Sequence, residues 1–178
     1  MKTKGLVIVH TGNGKGKTTA ALGLAMRAWG DGLRVLILQF IKGGWKYGEL
    51  KTIAALANID DRIRVEQCGL GFTKNDSHDK KEHIEMAKMA LDKARSAIVS
   101  NEWDLIILDE INYAIKFNLI TANDVLKLIA NKPSELHLVL TGRDANEDII
   151  ARADLVTEMK LIKHPYEKGI KAQQGIEF

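Results

Sequence analysis

The chain has very little cysteine and proline: one cysteine and two prolines in 178 residues. A lone cysteine, Cys68, cannot form an internal disulfide, so we expect a protein of a reducing compartment, the cytoplasm. Two prolines argue against linkers and proline-rich segments. No apolar run approaches the roughly 20 residues of a membrane-spanning helix, and the apolar stretch at residues 6–9 is too short for the core of a signal peptide. We therefore expect no membrane partner.

An excess of charge of one sign is also absent. The chain has 26 basic and 23 acidic residues, a formal charge of +3, and its basic residues are spread along the sequence. So weak and dispersed a charge does not predict a nucleic-acid partner. Hydrophobic residues make up 46% of the chain and charged residues 28%, which excludes a disordered protein. The length predicts a single domain over residues 1–178.

Short β-rich runs alternate with longer helical patterns along the chain. We predict strands at residues 5–10, 34–40, 63–67, 105–108, 136–140 and 155–160. Helices are predicted at residues 17–28, 49–57, 79–100 and 121–130, the last with a Thr121-x-x-Asp124 capping box, and a short helix capped by Asp144-x-x-Glu147. Near-continuous apolar strands between helices are typical of a mostly parallel sheet covered on both faces, a three-layer α/β domain. Ligands of such sheets bind beyond the carboxyl ends of the strands.

A glycine-rich segment joins the first predicted strand to the first helix. It reads Thr-Gly-Asn-Gly-Lys-Gly-Lys-Thr over residues 11–18, and its last three residues are those of a P-loop. Glycines let successive N–H groups turn toward one anion, and the helix beginning at Lys17 adds the positive end of its dipole. Lys17 supplies a cation, and Thr18 a hydroxyl suited to Mg²⁺. The predicted nucleotide-binding residues are Gly12, Asn13, Gly14, Lys15, Gly16, Lys17, Thr18 and Thr19.

The glycine spacing departs from the usual P-loop pattern. Thr11 stands where the first glycine is expected, and glycines occupy alternate positions instead. One alternative is a glycine-rich turn with no ligand. Another is a dinucleotide-binding turn, which would want Gly-x-Gly-x-x-Gly and an acid near the end of the second strand, where this chain has Gln39 and Phe40. The order of strand, loop and helix favours the P-loop.

Two carboxylates, Asp109 and Glu110, directly follow the apolar run at residues 105–108. In P-loop proteins an acid at a strand end meets Mg²⁺, directly or through water. The alternative is that Asp109 caps a turn beginning at Glu110. Adjacent side chains need not point the same way, so we expect the two acids to have different roles.

Arg143 follows another predicted strand and a Thr-Gly pair. Its planar guanidinium can bind a phosphate through two hydrogen bonds. It can equally pair with a nearby acid such as Asp144 or Asp154. We include Arg143 among the candidates for nucleotide binding.

The nucleotide motifs do not identify the second substrate. The guanine motif of GTPases is incomplete, because residues 131–134 read Asn-Lys-Pro-Ser, and an arginine-rich kinase lid is missing. Several blocks together resemble the ATP:corrinoid adenosyltransferases of the CobA/BtuR type, and they span nearly the whole chain in the expected order. These blocks are residues 11–21, Gln-Phe-Ile-Lys-Gly at 39–43, Gly-Phe-Thr at 71–73, Leu-Asp-Glu at 108–110 with Tyr113, Thr-Gly-Arg at 141–143, and the tail at 163–178.

The resemblance implies a RecA-like P-loop fold and a transferase. Members move the 5′-deoxyadenosyl group of ATP to Co(I) of a reduced corrinoid and release triphosphate, in adenosylcobalamin biosynthesis or corrinoid salvage. It also implies Mg²⁺, a homodimer, and a reduced flavoprotein as electron donor. Lys17, Thr18 and Glu110 would be catalytic, with Thr18 and Glu110 as direct metal ligands and Asp109 supporting. Alternatives are a P-loop ATPase or phosphotransferase with another substrate, or a non-catalytic ATP-binding regulator.

The segment around Phe72 resembles the family's corrinoid-facing loop, where an aromatic pair helps to remove the lower axial ligand of cobalt. Phe72 matches one of the pair, whereas Lys74 stands where well-studied members have tryptophan. We expect either that this device is missing or that another aromatic such as Trp45 completes it; Phe72 as ordinary core is the alternative. Residues 1–4 alone precede the first predicted strand, so we expect a site that is either more open than in members with a covering segment or covered by a different segment. His164 is a candidate for either structural closure or substrate contact.

Overall fold

The computed structural model describes residues 4–44, 46–71 and 80–177. Six parallel strands form one sheet in the order β3-β2-β4-β5-β1-β6. The strands are β1 (Val7–Thr11), β2 (Val35–Gln39), β3 (Ile63–Gln67), β4 (Leu105–Asp109), β5 (His137–Thr141) and β6 (Leu155–Glu158). The described helices are α1 (Lys17–Gly30), α2 (Gly48–Ile59), α3 (Lys80–Val99), α4 (Ile111–Lys116), α5 (Ala122–Ala130) and α6 (Glu147–Arg152), followed by a 3₁₀ helix at Pro165–Lys168.

Two hydrophobic cores, one on each face of the sheet, hold the layers together. Successive strand side chains point to opposite faces, so Leu36 and Leu38 of β2 join the core with α3, α4 and α5, while Ile37 joins the core with α1 and α2. All five residues of β2 and of β4 are buried. Each large aliphatic side chain buried in this way contributes about 1.5–3 kcal/mol. The predicted three-layer α/β architecture is therefore confirmed.

The predicted strands and longer helices are confirmed to within two residues at their described ends. Helix α4 was not predicted. It has only six residues, begins directly after β4, and lacks a side-chain cap, so no local signal marks its start. Of the helices that the structure describes, none is long and apolar enough to span a membrane.

One of the two predicted helix caps is confirmed and the other is wrong. Thr121 and Asp124 form the expected capping box at the start of α5. Helix α6 is capped by Asn146, whose side chain accepts a hydrogen bond from the Asp148 N–H at 2.9 Å. Asp144 adopts a left-handed conformation with φ 53° and pairs with Lys116, so it cannot serve as the cap.

A bidentate ion pair joins the amino-terminal ends of β2 and β4. Arg34 donates from Nε and Nη2 to the two carboxylate oxygens of Asp104 at 3.0 and 2.9 Å, and its backbone N–H donates to the same carboxylate at 2.8 Å. These hydrogen bonds favour the ionised acid and lower the pKa of Asp104 below its ordinary value. The pair therefore stabilises the register of two central strands in a pH-dependent way.

The substitution Asp104→Asn should lower the free energy of unfolding by about 1 kcal/mol at pH 7, a value kept small because the pair is partly exposed. Since the pKa of Asp104 is lower in the folded state, its contribution is present above about pH 3.9 and is lost as pH falls through the folded pKa. Urea unfolding at pH 7 and at progressively lower pH would measure this, with the exposed Asp61→Asn as control. A difference that stays constant with pH would contradict the assignment.

Candidate active site

The loop between β1 and α1 closes around the ammonium group of Lys17. Its Nζ donates to the carbonyl oxygens of Gly12 at 2.8 Å and Gly14 at 2.7 Å. Burial lowers the pKa of Lys17, while the nearby carboxylates, Glu110 first, act in the opposite direction. An ammonium group has three donors, so the third can reach an anion in the adjoining cavity.

The alternate glycines of this loop are required by the segment that follows β6. The Gly14 N–H donates to the Met159 carbonyl at 2.6 Å, and the Met159 N–H donates to the Thr11 carbonyl at 2.9 Å. A Cβ at Gly12, where φ is 94°, would lie 2.5 Å from the Met159 carbonyl oxygen, and one at Gly14 would lie 2.7 Å from it. A side chain at either position would clash with this backbone, which gives a physical reason for the unusual glycine spacing.

Asp109, at the carboxyl end of β4, is 1% exposed and has partners on both carboxylate oxygens. Oδ1 accepts from the Thr18 and Thr141 hydroxyls, each at 2.8 Å. Oδ2 accepts from Gln39 Nε2 at 3.3 Å and lies 3.1 Å from Lys42 Nζ. Gln39 meets Asp109 because the two residues are paired in the β2–β4 register. The carboxylate is therefore saturated by protein groups.

Glu110 differs from its neighbour because it lines the open cavity. Its backbone is in the left-handed region, with φ 63°, where residues other than glycine are uncommon. Its N–H donates to the Thr141 hydroxyl at 2.8 Å, which ties it to Asp109 through one shared group. Burial and repulsion by Asp109 raise the pKa of Glu110. Glu110 itself occupies the N-cap of α4, so the alternative that Asp109 caps this helix is wrong.

A cavity of about 810 Å³ lies between the P-loop, the amino-terminal part of α2 and Glu110. Arg143 and residues 175–177 of the tail complete its wall, and Glu177 of the tail pairs with Lys15. This volume falls within the range of small-molecule and cofactor sites. The cavity can therefore hold a nucleotide.

The structure places most of the predicted nucleotide-binding residues in this cavity. Gly12 and Asn13 are not among the residues that line it; Gly12 acts through its carbonyl, and Asn13 is exposed. Phe72, Lys74 and Trp45 lie outside the described residues. The predicted residues that line the cavity are Gly14, Lys15, Gly16, Lys17, Thr18, Thr19, Glu110 and Arg143.

The alternative partners of Arg143 are engaged elsewhere. Asp144 pairs with Lys116 at 2.6 Å, and Asp154 pairs with Lys4 at 3.0 Å. Because Arg143 lines the cavity, its guanidinium is placed where it can meet a phosphate.

His164 has a structural role in the tail. Its Nδ1 accepts the Tyr166 N–H at 3.1 Å and caps the 3₁₀ helix. This contact supports the structural-closure interpretation of the residue.

Sequence reasoning missed three residues that contact Asp109, namely Gln39, Lys42 and Thr141. Burial alone would lower the pKa of Lys42, but attraction by Asp109 and Glu49 outweighs it and raises the pKa. A signal for Lys42 was present in the Gln-Phe-Ile-Lys-Gly block, whose lysine had no assigned role. Thr141 stands in the Thr-Gly-Arg block, but its contact with Asp109 depends on which strands are neighbours, and the block does not show that.

The part of the chain that the structure describes holds no group of three or more His, Cys, Asp and Glu side chains able to bind a metal ion. The oxygens at this site come from a hydroxyl, Thr18, and a carboxylate, Glu110. Such hard oxygen donors suit Mg²⁺, which is held in nucleotide sites by one or two protein groups together with phosphate oxygens. The residues present therefore fit a magnesium ion that arrives with a nucleotide.

Solved structures with a similar fold are P-loop proteins. The flagellar accessory protein FlaH from Methanocaldococcus jannaschii superimposes with a TM-score of 0.57 and 13% identity, over 86% of this chain and 70% of that one. The RadB recombinase gives a TM-score of 0.53 and 15% identity, over 90% of this chain and 77% of that one. These similarities show a RecA-like fold and nothing more specific.

Sequence relatives are more informative. A corrinoid adenosyltransferase from Sinorhizobium sp is 44% identical over 98% of this chain and 81% of its own length. Those from Pseudomonas aeruginosa and Escherichia coli K12 are 39% and 33% identical over 98% of this chain, and 84% and 86% of their own lengths. The model of the family ATP:corrinoid adenosyltransferase BtuR/CobO/CobP matches residues 3–178. With a P-loop, an open acid and a nucleotide-sized cavity on one edge of its sheet, the chain belongs to this family of corrinoid adenosyltransferases.

Proposed function

We propose that this chain transfers the 5′-deoxyadenosyl group of ATP to Co(I) of a reduced corrinoid and releases triphosphate, in adenosylcobalamin biosynthesis or corrinoid salvage. The observation that carries the proposal is the P-loop cavity, shared by Lys17 and Glu110, in a chain that matches the family over residues 3–178. The ligands are two substrates, ATP and a corrinoid. Membership of the family supports both.

The proposed chemistry needs no nucleophile from a protein side chain. The Co(I) of the substrate supplies the electron pair that forms the bond to C5′ of the ribose. The bond between C5′ and the triphosphate oxygen breaks, and the triphosphate leaves with that electron pair. The protein therefore needs no general base; it must stabilise the charge that develops on the leaving group.

The cationic side of the cavity is suited to that charge. Lys17 can donate its remaining N–H to a phosphate oxygen, and Arg143 can bind two oxygens at once. Lys15 lies on the same loop and would contribute once its contact with Glu177 is released. Preorganised charges of this kind act strongly in a partly buried site, because they need no rearrangement during the reaction.

We propose that Thr18 and Glu110 hold the magnesium ion of MgATP. Thr18 donates its hydroxyl hydrogen to Asp109, so its lone pairs remain for a cation. Asp109 acts in support, because both of its oxygens are already occupied. When bound, the magnesium ion neutralises part of the phosphate charge.

Other parts of the proposal rest on the family resemblance. Phe72 would contact the corrinoid, and a reduced flavoprotein would supply electrons. We propose that residues 1–178 form one catalytic domain that works as a homodimer. Its single cysteine, Cys68, favours the cytoplasm.

Replacement of Lys17 tests the reaction itself. Incubation of MgATP with chemically reduced cob(I)alamin under anaerobic conditions should give the light-sensitive spectrum of adenosylcobalamin and one triphosphate per turnover. Lys17→Met should lower the rate by about 100-fold or more, since removal of one such donor has effects of this size. The exposed Lys88→Met serves as control. Release of ADP with an unchanged corrinoid would instead favour an ATPase or phosphotransferase, and near-normal transfer by Lys17→Met would remove that residue from the mechanism.

Replacement of Glu110 tests the metal assignment. Glu110→Gln keeps the size of the side chain but loses the charge, so the Mg²⁺ concentration for half-maximal activity should rise about tenfold or more. The exposed Glu147→Gln, on α6, should leave it unchanged. The measurement is a magnesium titration at saturating ATP and corrinoid, and an unchanged midpoint for Glu110→Gln would rule out direct ligation.

Replacement of Phe72 tests the corrinoid-facing role. Removal of an axial ligand helps the reduction of Co(II) but is not needed once cobalt is Co(I). Phe72→Ala should therefore slow the reaction that starts from Co(II) far more than the one that starts from Co(I). Equal losses in the two assays would exclude Phe72 from ligand displacement.

A further inference from the structure

Lys42 is a mostly buried cation on the wall of the nucleotide-sized cavity, and the proposed chemistry does not use it. It lies in the loop after β2, in the Gln-Phe-Ile-Lys-Gly block, and its side chain is 14% exposed. Its Nζ is 3.1 Å from Asp109 Oδ2, 3.5 Å from Glu49 Oε1 and 4.7 Å from the centre of the Tyr47 ring. Two carboxylate oxygens and one aromatic face match the three N–H donors of an ammonium group.

This environment differs from that of the P-loop lysine. Lys17 uses two donors on backbone carbonyls and keeps a third for the cavity. Lys42 has an acceptor for each of its donors within the protein. It is therefore arranged to act on its neighbours, and a direct contact with a phosphate would require it to leave one of them.

Asp109 is the neighbour most affected. Lys42 and Gln39 occupy its Oδ2, which leaves Oδ1 for the Thr18 and Thr141 hydroxyls. A carboxylate with 1% exposure is strongly destabilised when its cationic partner is lost. Without that partner the Asp109 carboxylate would lose the cation that holds Oδ2, and its hydrogen bond with the Thr18 hydroxyl would no longer be held in one geometry. Lys42 thus holds the orientation in which the Asp109 carboxylate accepts the Thr18 hydroxyl.

The backbone around Lys42 is fixed, so its side chain starts from a defined place. The Phe40 N–H donates to the Asp109 carbonyl at 2.9 Å, and the Gly69 N–H donates to the Lys42 carbonyl at 3.1 Å. A Cβ at Gly43 would lie 1.8 Å from the Gly69 carbonyl oxygen, so these two loops can touch only through glycine. A rigid support of this kind is what holds a site residue in one geometry.

We propose that Lys42 is a positioning residue of this site: it holds the Asp109 carboxylate so that Oδ1 accepts the Thr18 hydroxyl, whose lone pairs then face the cation of a magnesium–nucleotide complex. The inference rests on the proposed function for its link to catalysis. It adds a residue outside the P-loop and the acidic strand end to the apparatus for binding MgATP.

The first test measures binding without the corrinoid. ATP binding is followed by calorimetry at increasing Mg²⁺ for Lys42→Met, Lys42→Arg and the matched control Lys51→Met, an exposed lysine on α2. Lys42→Met should raise the Mg²⁺ concentration for half-maximal binding about tenfold or more, and Lys42→Arg should recover most of the loss, because the charge is kept. The control should stay within about twofold. A change in the half-maximal Mg²⁺ concentration for Lys42→Met no larger than that for the control would overturn the proposal.

The second test asks whether Lys42 acts through Asp109. In an Asp109→Asn background, Lys42→Met should change the same midpoint by no more than about twofold, because the group that it positions is gone. If the fold-changes of the Mg²⁺ midpoint caused by Lys42→Met and by Asp109→Asn multiply in the double variant, Lys42 contacts the nucleotide directly and the proposal is overturned. If Lys42→Met does not fold, Lys42→Gln, which loses the charge but keeps a polar side chain, takes its place in both backgrounds.

The kinetic readout separates this inference from the proposed function. In the adenosyl-transfer assay, Lys42→Met should lower kcat and leave the KM for the corrinoid within about twofold. If no adenosyl transfer occurs with the unmodified protein, the proposed function fails. The ATP-binding measurements on Lys42→Met, with and without Asp109→Asn, still decide the role of Lys42.

Discussion

The buried carboxylate of Asp109 is the constraint on which the rest of the site depends. A charge at 1% exposure needs partners for both oxygens, because an unpaired buried charge costs several kcal/mol. Its partners come from four different parts of the chain: Thr18 from α1, Gln39 from β2, Lys42 from the following loop and Thr141 from β5. One acid therefore connects the phosphate loop, the centre of the sheet and the loop that leads to α2.

Backbone conformation places the two neighbouring acids, Asp109 and Glu110, in different environments. A regular continuation of β4 would send Glu110 in the direction opposite to Asp109. The left-handed φ of 63° turns the chain directly into α4 and leaves Glu110 on the cavity wall. Thr141 supports both arrangements, since its hydroxyl accepts the Glu110 N–H and donates to Asp109. The carboxylate of Asp109 is thus surrounded by protein partners, whereas Glu110 faces the cavity.

The phosphate loop shows the same dependence on distant chain segments. Its alternate glycines are explained by the backbone after β6, which lies so close that a Cβ at Gly12 or Gly14 would clash with Met159. The tail then returns to the cavity, where Glu177 contacts Lys15. Residues far apart in the sequence therefore contact this loop on two sides. The chemistry proposed for the site uses the lysines of the loop, Lys15 and Lys17, to stabilise the leaving triphosphate.

The sequence by itself determined the elements and the kind of ligand. Apolar periodicity and the capping box at Thr121 are local and were interpreted correctly without a structure. The run of glycines before Lys17 is local too, and its nucleotide-binding role stays a prediction. Helix α4 was missed because it is short and has no side-chain cap, and Asp144 was misplaced because two polar residues near one helix start, Asp144 and Asn146, compete for the same role. The tertiary structure alone decided the strand order β3-β2-β4-β5-β1-β6 and, with it, the contacts of Asp109. Those contacts join residues 32 to 91 positions apart, and no local pattern encodes which strand ends meet. Local chemistry acts through neighbouring residues, whereas a buried charge is satisfied only when the whole sheet has assembled around it.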